Sequence, residues 1–111
     1  MQLPLLNSEG VIRWVDGQDI LYLQTDGSGD VTLFAYDETY KAISTVKELF
    51  RLLEPAGFVR VDRGTVVNPS RIDSFDPLLN VARIRTSESI ILISVPERML
   101  GILKLFGTGG E

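Results

Sequence analysis

Five residues in the second half of the chain have the types and spacing to grip a polyanion: Arg60, Arg63, Asn68, Arg71 and Arg98. Arginine presents a planar fork of donors that matches phosphate oxygens and the O6/N7 edge of guanine, and asparagine can pair with adenine. Four of the five fall within Phe58-Val59-Arg60-Val61-Asp62-Arg63-Gly64-Thr65-Val66-Val67-Asn68-Pro69-Ser70-Arg71-Ile72, two short strand-like runs broken at Gly64 and Asn68-Pro69. In the first run Phe58, Arg60 and Asp62 share one strand face, and Val59 and Val61 share the other, toward a core. Arg63 falls at the turn beside Gly64. A basic side chain at such a strand–loop junction is held by rigid scaffold yet reaches outward, as groove readout requires. The plain alternative is a set of exposed ion pairs, Arg60 with Asp62 or Glu54 and Arg63 with Asp73, each worth little. Asn68 before Pro69 reads first as a turn residue that bonds its own backbone, and only second as a base contact. Arg71, in the same turn, is a candidate phosphate contact.

No comparable grouping supports catalysis. The chain has no histidine and no cysteine, which removes the commonest general base, a Ser-His triad, a zinc site and any disulfide framework. Asp37-Glu38 and Asp73/Asp76 are carboxylate pairs outside any glycosidase or phosphotransfer context. Asp26-Gly27-Ser28-Gly29-Asp30 is similar to a calcium loop but lacks the later bidentate glutamate, so it reads as a hairpin turn. Gly27-x-Gly29 has no third glycine and no following helix to cradle a phosphate. The reading is a non-enzyme with no cofactor and no metal.

The formal net charge of −4 opposes nucleic-acid binding, but the charge is unevenly spread. Up to Val59 the basic residues are Arg13, Lys41, Lys47 and Arg51, against nine acids; from Arg60 to Lys104 seven basic residues, all but one of them arginine, face five acids. By itself such an asymmetry is most simply a solvated surface. The 111 residues suit one domain. No run approaches the roughly 18 apolar residues of a membrane span, and Met1 to Asn7 is too short and lacks the basic start of a signal peptide. The expectation is a cytoplasmic protein that makes no membrane contact.

Turn signals at Asp16-Gly17, Asp26 to Gly29, Pro55-Ala56-Gly57, Asn68-Pro69 and Asp76-Pro77 separate short runs rich in Val, Ile, Leu, Tyr and Phe, the pattern of a mainly β domain. Strands are predicted over 11–15, 20–24, 31–36, 40–43, 57–62, 65–68, 72–76, 81–86 and 89–94, with 31–36 and 40–43 as a hairpin pair. Ala82 and Ile84 should face inward and Arg83 and Arg85 outward. Two segments carry helical spacing. Val46, Leu49, Phe50 and Leu53 make one face behind a Thr45/Glu48 capping box, stopped by Pro55 and Gly57. Met99, Leu100, Leu103 and Phe106 make a second stripe behind Pro96 and Glu97, ended by Gly107. Residues 1–106 are read as one domain and 107–111 as a flexible tail.

Four segments, in order, resemble the LytTR-type DNA-binding domain. The main signature of that family runs roughly Phe-x-Arg-x-His-Arg-Ser-x-x-Val-Asn-x-x-x-Ile, matched here at Phe58, Arg60, Arg63, Val67, Asn68 and Ile72, with Asp62 in place of His and Gly64 in place of Ser. Asp19-Ile20-Leu21-Tyr22-Leu23 resembles its early D-I-x-Y-I strand. Thr45-Val46-Lys47-Glu48-Leu49 resembles its S-L-K-E-L helix start, and Val95-Pro96-Glu97-Arg98-Met99-Leu100 its closing V-S-R-R-Y-L segment. The resemblance spans about Val11 to Phe106. It implies short strands in small packed sheets with one or two short helices. It also implies loops that enter successive major grooves of double-stranded DNA, at paired direct repeats, and bend it. Such a domain is typically the output of a bacterial response regulator. The receiver or sensor domain would lie outside this chain, and a homodimer would occupy the repeats.

Carried over by position, the resemblance makes Arg63 and Arg98 base contacts. The third contact of the family falls in the loop 26–30, which has no basic residue here. Together with Asp62 and Pro96, that loop predicts a weaker binder than a basic relative, or one aided by a neighbouring domain or a dimer. The leading expectation is therefore sequence-specific DNA binding in transcriptional regulation. The alternative is a protein-interaction module on the same fold whose DNA binding has weakened or gone.

Overall fold

Alternating apolar residues need a partner layer on each side that they face. In the computed structural model, which describes residues 1–106, ten strands answer that need in two antiparallel sheets. Strands β1 (Gln2–Leu6), β2 (Ile12–Asp16), β3 (Ile20–Thr25), β4 (Val31–Ala35), β5 (Thr39–Ala42), β6 (Val59–Asp62) and β7 (Thr65–Val67) form the larger sheet, in the order β2-β1-β5-β4-β3-β7-β6. Strands β8 (Ser74–Asp76), β9 (Val81–Arg85) and β10 (Ile90–Ser94) form the smaller one, in the order β10-β9-β8. Helices α1 (Val46–Leu53) and α2 (Glu97–Phe106) complete the fold. The mainly β architecture with two short helices is the one expected, and β4 and β5 pair as the predicted hairpin. The 107–111 tail and the stop at Gly107 lie outside the described residues.

The larger sheet is a wall between two cores. On one face Leu3, Leu5, Leu23, Leu33 and Val66 meet Val46, Leu49 and Leu53 of α1. On the other, Leu21, Tyr22, Val61 and Val67 meet Ala82, Ile84 and Ile93 of the smaller sheet and Leu103 of α2. A strand in such a wall cannot simply alternate inside and outside. In β3 the register against β4 slips between Ile20 and Tyr22, a bulge that leaves Leu21 unmatched. Leu21 and Tyr22 thereby enter the same core, while Ile20 and Leu23 fill the other. Tyr22 then stacks on Phe34 with ring centroids 4.3 Å apart.

No strand was expected over Gln2–Leu6, and Pro4 within it is a residue that argues against a paired strand. Pro4 is tolerated because β1 pairs fully with β2 but touches β5 only at Leu6↔Lys41. Beside Pro4 there is no ladder on the β5 side for its missing N–H to interrupt.

Helix α1 starts where its capping box places it. The Thr45 hydroxyl accepts from the Glu48 N–H at 3.2 Å and the Glu48 carboxylate accepts from the Thr45 N–H at 3.0 Å. The chain leaves it through a short 3-10 turn, Glu54–Ala56, and Gly57 at φ 100°, a left-handed conformation that favours glycine. Hydrogen bonds from the Thr45 backbone and hydroxyl hold the Glu48 carboxyl below its ordinary 4.5. A depressed folded pKa stabilises the protein above the ordinary glutamate range, and the effect is lost as pH falls through the folded value. Thr45→Ala is expected to lower stability by about 1 kcal/mol at neutral pH. The difference between variant and parent should narrow in strong acid, read from urea melts at the two pH values.

Candidate nucleic-acid interface

Strands β6 and β7 are joined by a turn of two residues, Arg63 and Gly64. Strand β6 is the edge of the larger sheet, and its register against β7 slips between Arg60 and Asp62, so Val61 is the extra residue of an edge bulge. The turn is tied down from several sides. The Asp62 carboxylate accepts from the Gly64 N–H at 2.9 Å. The Arg60 guanidinium reaches along the strand and donates through Nε to the Asp62 carbonyl at 3.3 Å and through Nη2 to the Arg63 carbonyl. The Gly64 carbonyl accepts from the Thr25 N–H at 2.9 Å. This last bond sets the 63–64 turn beside the 26–30 hairpin that joins β3 to β4.

Gly64 also explains why serine does not stand there. A Cβ on Gly64 would lie 2.5 Å from the Thr25 hydroxyl oxygen. Gly64→Ala is expected to destabilise the fold by about 1 kcal/mol through overpacking. In a Thr25→Ala background the same substitution should be close to neutral. A double-mutant cycle of urea melts checks this, and additive effects would contradict the contact.

The hairpin 26–30 is the turn expected. The Asp26 carboxylate accepts from Ser28 N–H, Ser28 hydroxyl and Asp30 N–H at 2.8, 2.7 and 3.0 Å. The Ser28 hydroxyl, first among these, holds its pKa below the ordinary carboxylate value. Among the described residues no group of carboxylates is placed to hold a metal ion.

The predicted arginines divide by what they touch. Arg83 pairs with Asp76 at 3.0 Å and Arg85 with Asp73 at 3.5 Å, on the outer face of the smaller sheet. Asp73 is therefore engaged with Arg85, not with Arg63. Arg71 donates through Nε and Nη2 to the Gln18 carbonyl at 3.0 and 2.8 Å, with Asp19 at 3.9 Å, and its side chain stays 45 % exposed. Arg60 bonds to backbone carbonyls, and neither Asp62 nor Glu54 takes it as an ion pair. Arg63 and Arg98 are exposed, with no hydrogen bond or ion pair from either guanidinium among the described residues.

Asn68 lies inside. It is 2 % exposed. Its Nδ2 donates to the Ile20 carbonyl at 3.1 Å, and its Oδ1 accepts from the Ser70 hydroxyl at 2.7 Å and the Ser70 N–H at 3.3 Å. These bonds build the Pro69–Arg71 turn that carries Arg71, and they leave Asn68 no free face for a base. Phe58, placed by alternation on the same face as Arg60, is buried with the α1 core, while Val59 and Val61 enter the other. Helix α2 passes close by: Met99 and Ile102 line a shallow groove with Phe58 and Arg60. Arg98 precedes Met99 on this helix and is exposed. A cavity of about 530 Å³ at the other end of β4 from the 26–30 hairpin is lined by Asp19, Asp37, Glu38 and Asp73 together with Arg71 and Arg85.

Sequence reasoning missed the brace made by Asp62. The signal was present, since an aspartate two residues before a glycine can bond that backbone N–H.

A family model described as the LytTr DNA-binding domain matches residues 10–99. The chain belongs to that family. A LytTr DNA-binding domain of a response regulator from Bacillus cereus has the same fold, with a TM-score of 0.70 and 17% identity over 95% of this chain and 94% of that one. No curated protein matches the sequence. LytTr is a family of DNA-binding domains, not an enzyme family. The LytTr fold here also has no helix, among the described residues, long and apolar enough to cross a membrane.

Proposed function

We propose that this LytTr domain binds double-stranded DNA sequence-specifically in bacterial transcriptional regulation, with Arg63 and Arg98 reading base edges in successive major grooves of a direct-repeat site. The observation that carries the reading is the state of Arg63. It stands exposed, with no hydrogen bond or ion pair among the described residues, on a turn whose backbone is fixed by Arg60, Asp62 and Thr25. With the backbone under the donor fork already placed, binding has only the side chain left to order. Arg98 extends the contact from α2, and Arg71 keeps enough exposure to meet a phosphate while it braces the 17–19 turn. Asn68 contributes from within, by shaping the turn that holds Arg71. The domain acts in the cytoplasm, as the output of a longer regulator, with two copies on paired repeats.

A second reading is favoured by one observation. The other edge of the larger sheet, β2, presents Ile12 and Trp14 to solvent, Trp14 at 68 % exposure, as a protein-interaction module would.

Fluorescence anisotropy of labelled duplexes over a salt series separates the two. DNA binding predicts saturable association that weakens with salt, and the log–log slope counts the phosphates neutralised. Flat anisotropy at low salt, with stable self-association, would give the second reading the field.

A further inference from the structure

We propose that Arg60 is a positioning residue for DNA recognition: it acts on DNA only through Arg63, by clamping the turn that presents it. The inference rests on the DNA-binding reading above for its functional half, and on geometry alone for its structural half.

Arginine on an exposed edge strand would ordinarily extend into solvent, and in a DNA-binding domain it would be counted as a phosphate contact. Here the guanidinium folds back. Two of its N–H groups are engaged by consecutive carbonyls, those of Asp62 and Arg63. These carbonyls belong to the residues that begin the turn, and no backbone partner among the described residues is recorded for either outside the strand ladder. The Val61 bulge brings them within reach, because it lets Arg60 stay in register with Val66 while Asp62 is still opposite Thr65. From the other side the Asp62 carboxylate holds the Gly64 N–H. Arg63 thus sits between a carbonyl fixed by Arg60 and an amide fixed by Asp62, while its own side chain makes no hydrogen bond or ion pair among the described residues.

Only a forked donor can do this. A lysine would place one compact ammonium near two carbonyls and hold neither direction. The clamp also gives Asp62 a use. A carboxylate next to DNA is unfavourable in isolation, but here it takes the amide on the far side of the turn that Arg60 grips. Because a 1 Å displacement of a reading group is enough to lose a bidentate base contact, loosening the clamp should act on base discrimination and not only on overall affinity.

The test has two independent parts, on the full chain. First, 15N relaxation of the free protein reads the turn without DNA. In Arg60→Ala and Arg60→Lys, the order parameters of Arg63 and Gly64 should fall well below those of β7, with the remaining strands unchanged. Unchanged order parameters in both variants would overturn the clamp, whatever DNA does. Second, anisotropy titrations compare Arg60→Ala, Arg63→Ala and the double variant against duplexes substituted one base pair at a time. The clamp predicts that both single variants lose preference at the same base pair. It also predicts that Arg60→Ala adds less than a twofold change once Arg63 is alanine. A separate loss in the Arg63→Ala background, with the salt slope lowered by a further ~0.9, would make Arg60 a phosphate contact and overturn the proposal. Failure of the parent chain to bind any duplex would sink the DNA reading, and the relaxation data would still decide the clamp.

Discussion

Arg63→Ala is expected to weaken specific DNA binding by about 1–3 kcal/mol, roughly 5- to 150-fold, and to flatten discrimination at one base position. The fold should not notice the change. The Arg63 side chain is exposed and makes no hydrogen bond or ion pair among the described residues, and its carbonyl, which Arg60 holds, remains after substitution. Stability within about 0.5 kcal/mol of the parent is therefore expected. Binding isotherms on the selected site and on single-base variants, beside a urea melt, give both numbers. Measurable DNA affinity that survives Arg63→Ala undiminished would remove this residue from the interface. A loss equal on all sequences would demote it to a phosphate contact.

The second large effect concerns stability and comes from a residue that the sequence offers as a base reader. Asn68→Ala should destabilise the domain by about 1–3 kcal/mol, because it leaves the buried Ile20 carbonyl without its side-chain donor and the Ser70 N–H and hydroxyl without their acceptor. It also frees the Pro69–Arg71 turn, so Arg71 should lose its hold on the Gln18 carbonyl. The corresponding test is a pair of measurements. The urea midpoint should drop, and the specific affinity of the remaining folded protein should change far less than with Arg63→Ala. An Asn68→Ala protein of parental stability that cannot bind DNA would reverse the assignment and make Asn68 a direct contact.

Local rules made much of this legible. The Thr45–Glu48 box, the stop at Gly57 and the inward faces of β9 depend on residues within a few positions of one another, and sequence spacing carries such information. So does the exposure of Arg63, which follows from a turn at Gly64. What was not legible depends on partners distant in the chain or on backbone atoms that carry no residue identity. Asn68 finds Ile20 at a separation of 48 residues. Arg60 finds two carbonyls, and any residue would have supplied those. Leu21 and Tyr22 enter one core because of a bulge that alternation cannot express. The first strand contains Pro4, whose cost depends on whether a neighbour is present on one side. The resemblance supplied the family, and the fold supplied what each arginine touches.

The two edges of the larger sheet, β2 and β6, stand six strand spacings apart, roughly 29 Å measured along the sheet at about 4.8 Å each. The chain contains one tryptophan, and Trp14 stands on the far edge from Arg63. The protein thus carries a natural fluorophore in a place where docking of a duplex at the β6–β7 turn should not reach. Its emission should be that of a hydrated indole, open to quenching by iodide, before and after DNA is added. A blue shift, or protection from the quencher, would instead report a second protein surface closing over β2. One cuvette can therefore tell assembly from recognition without a label.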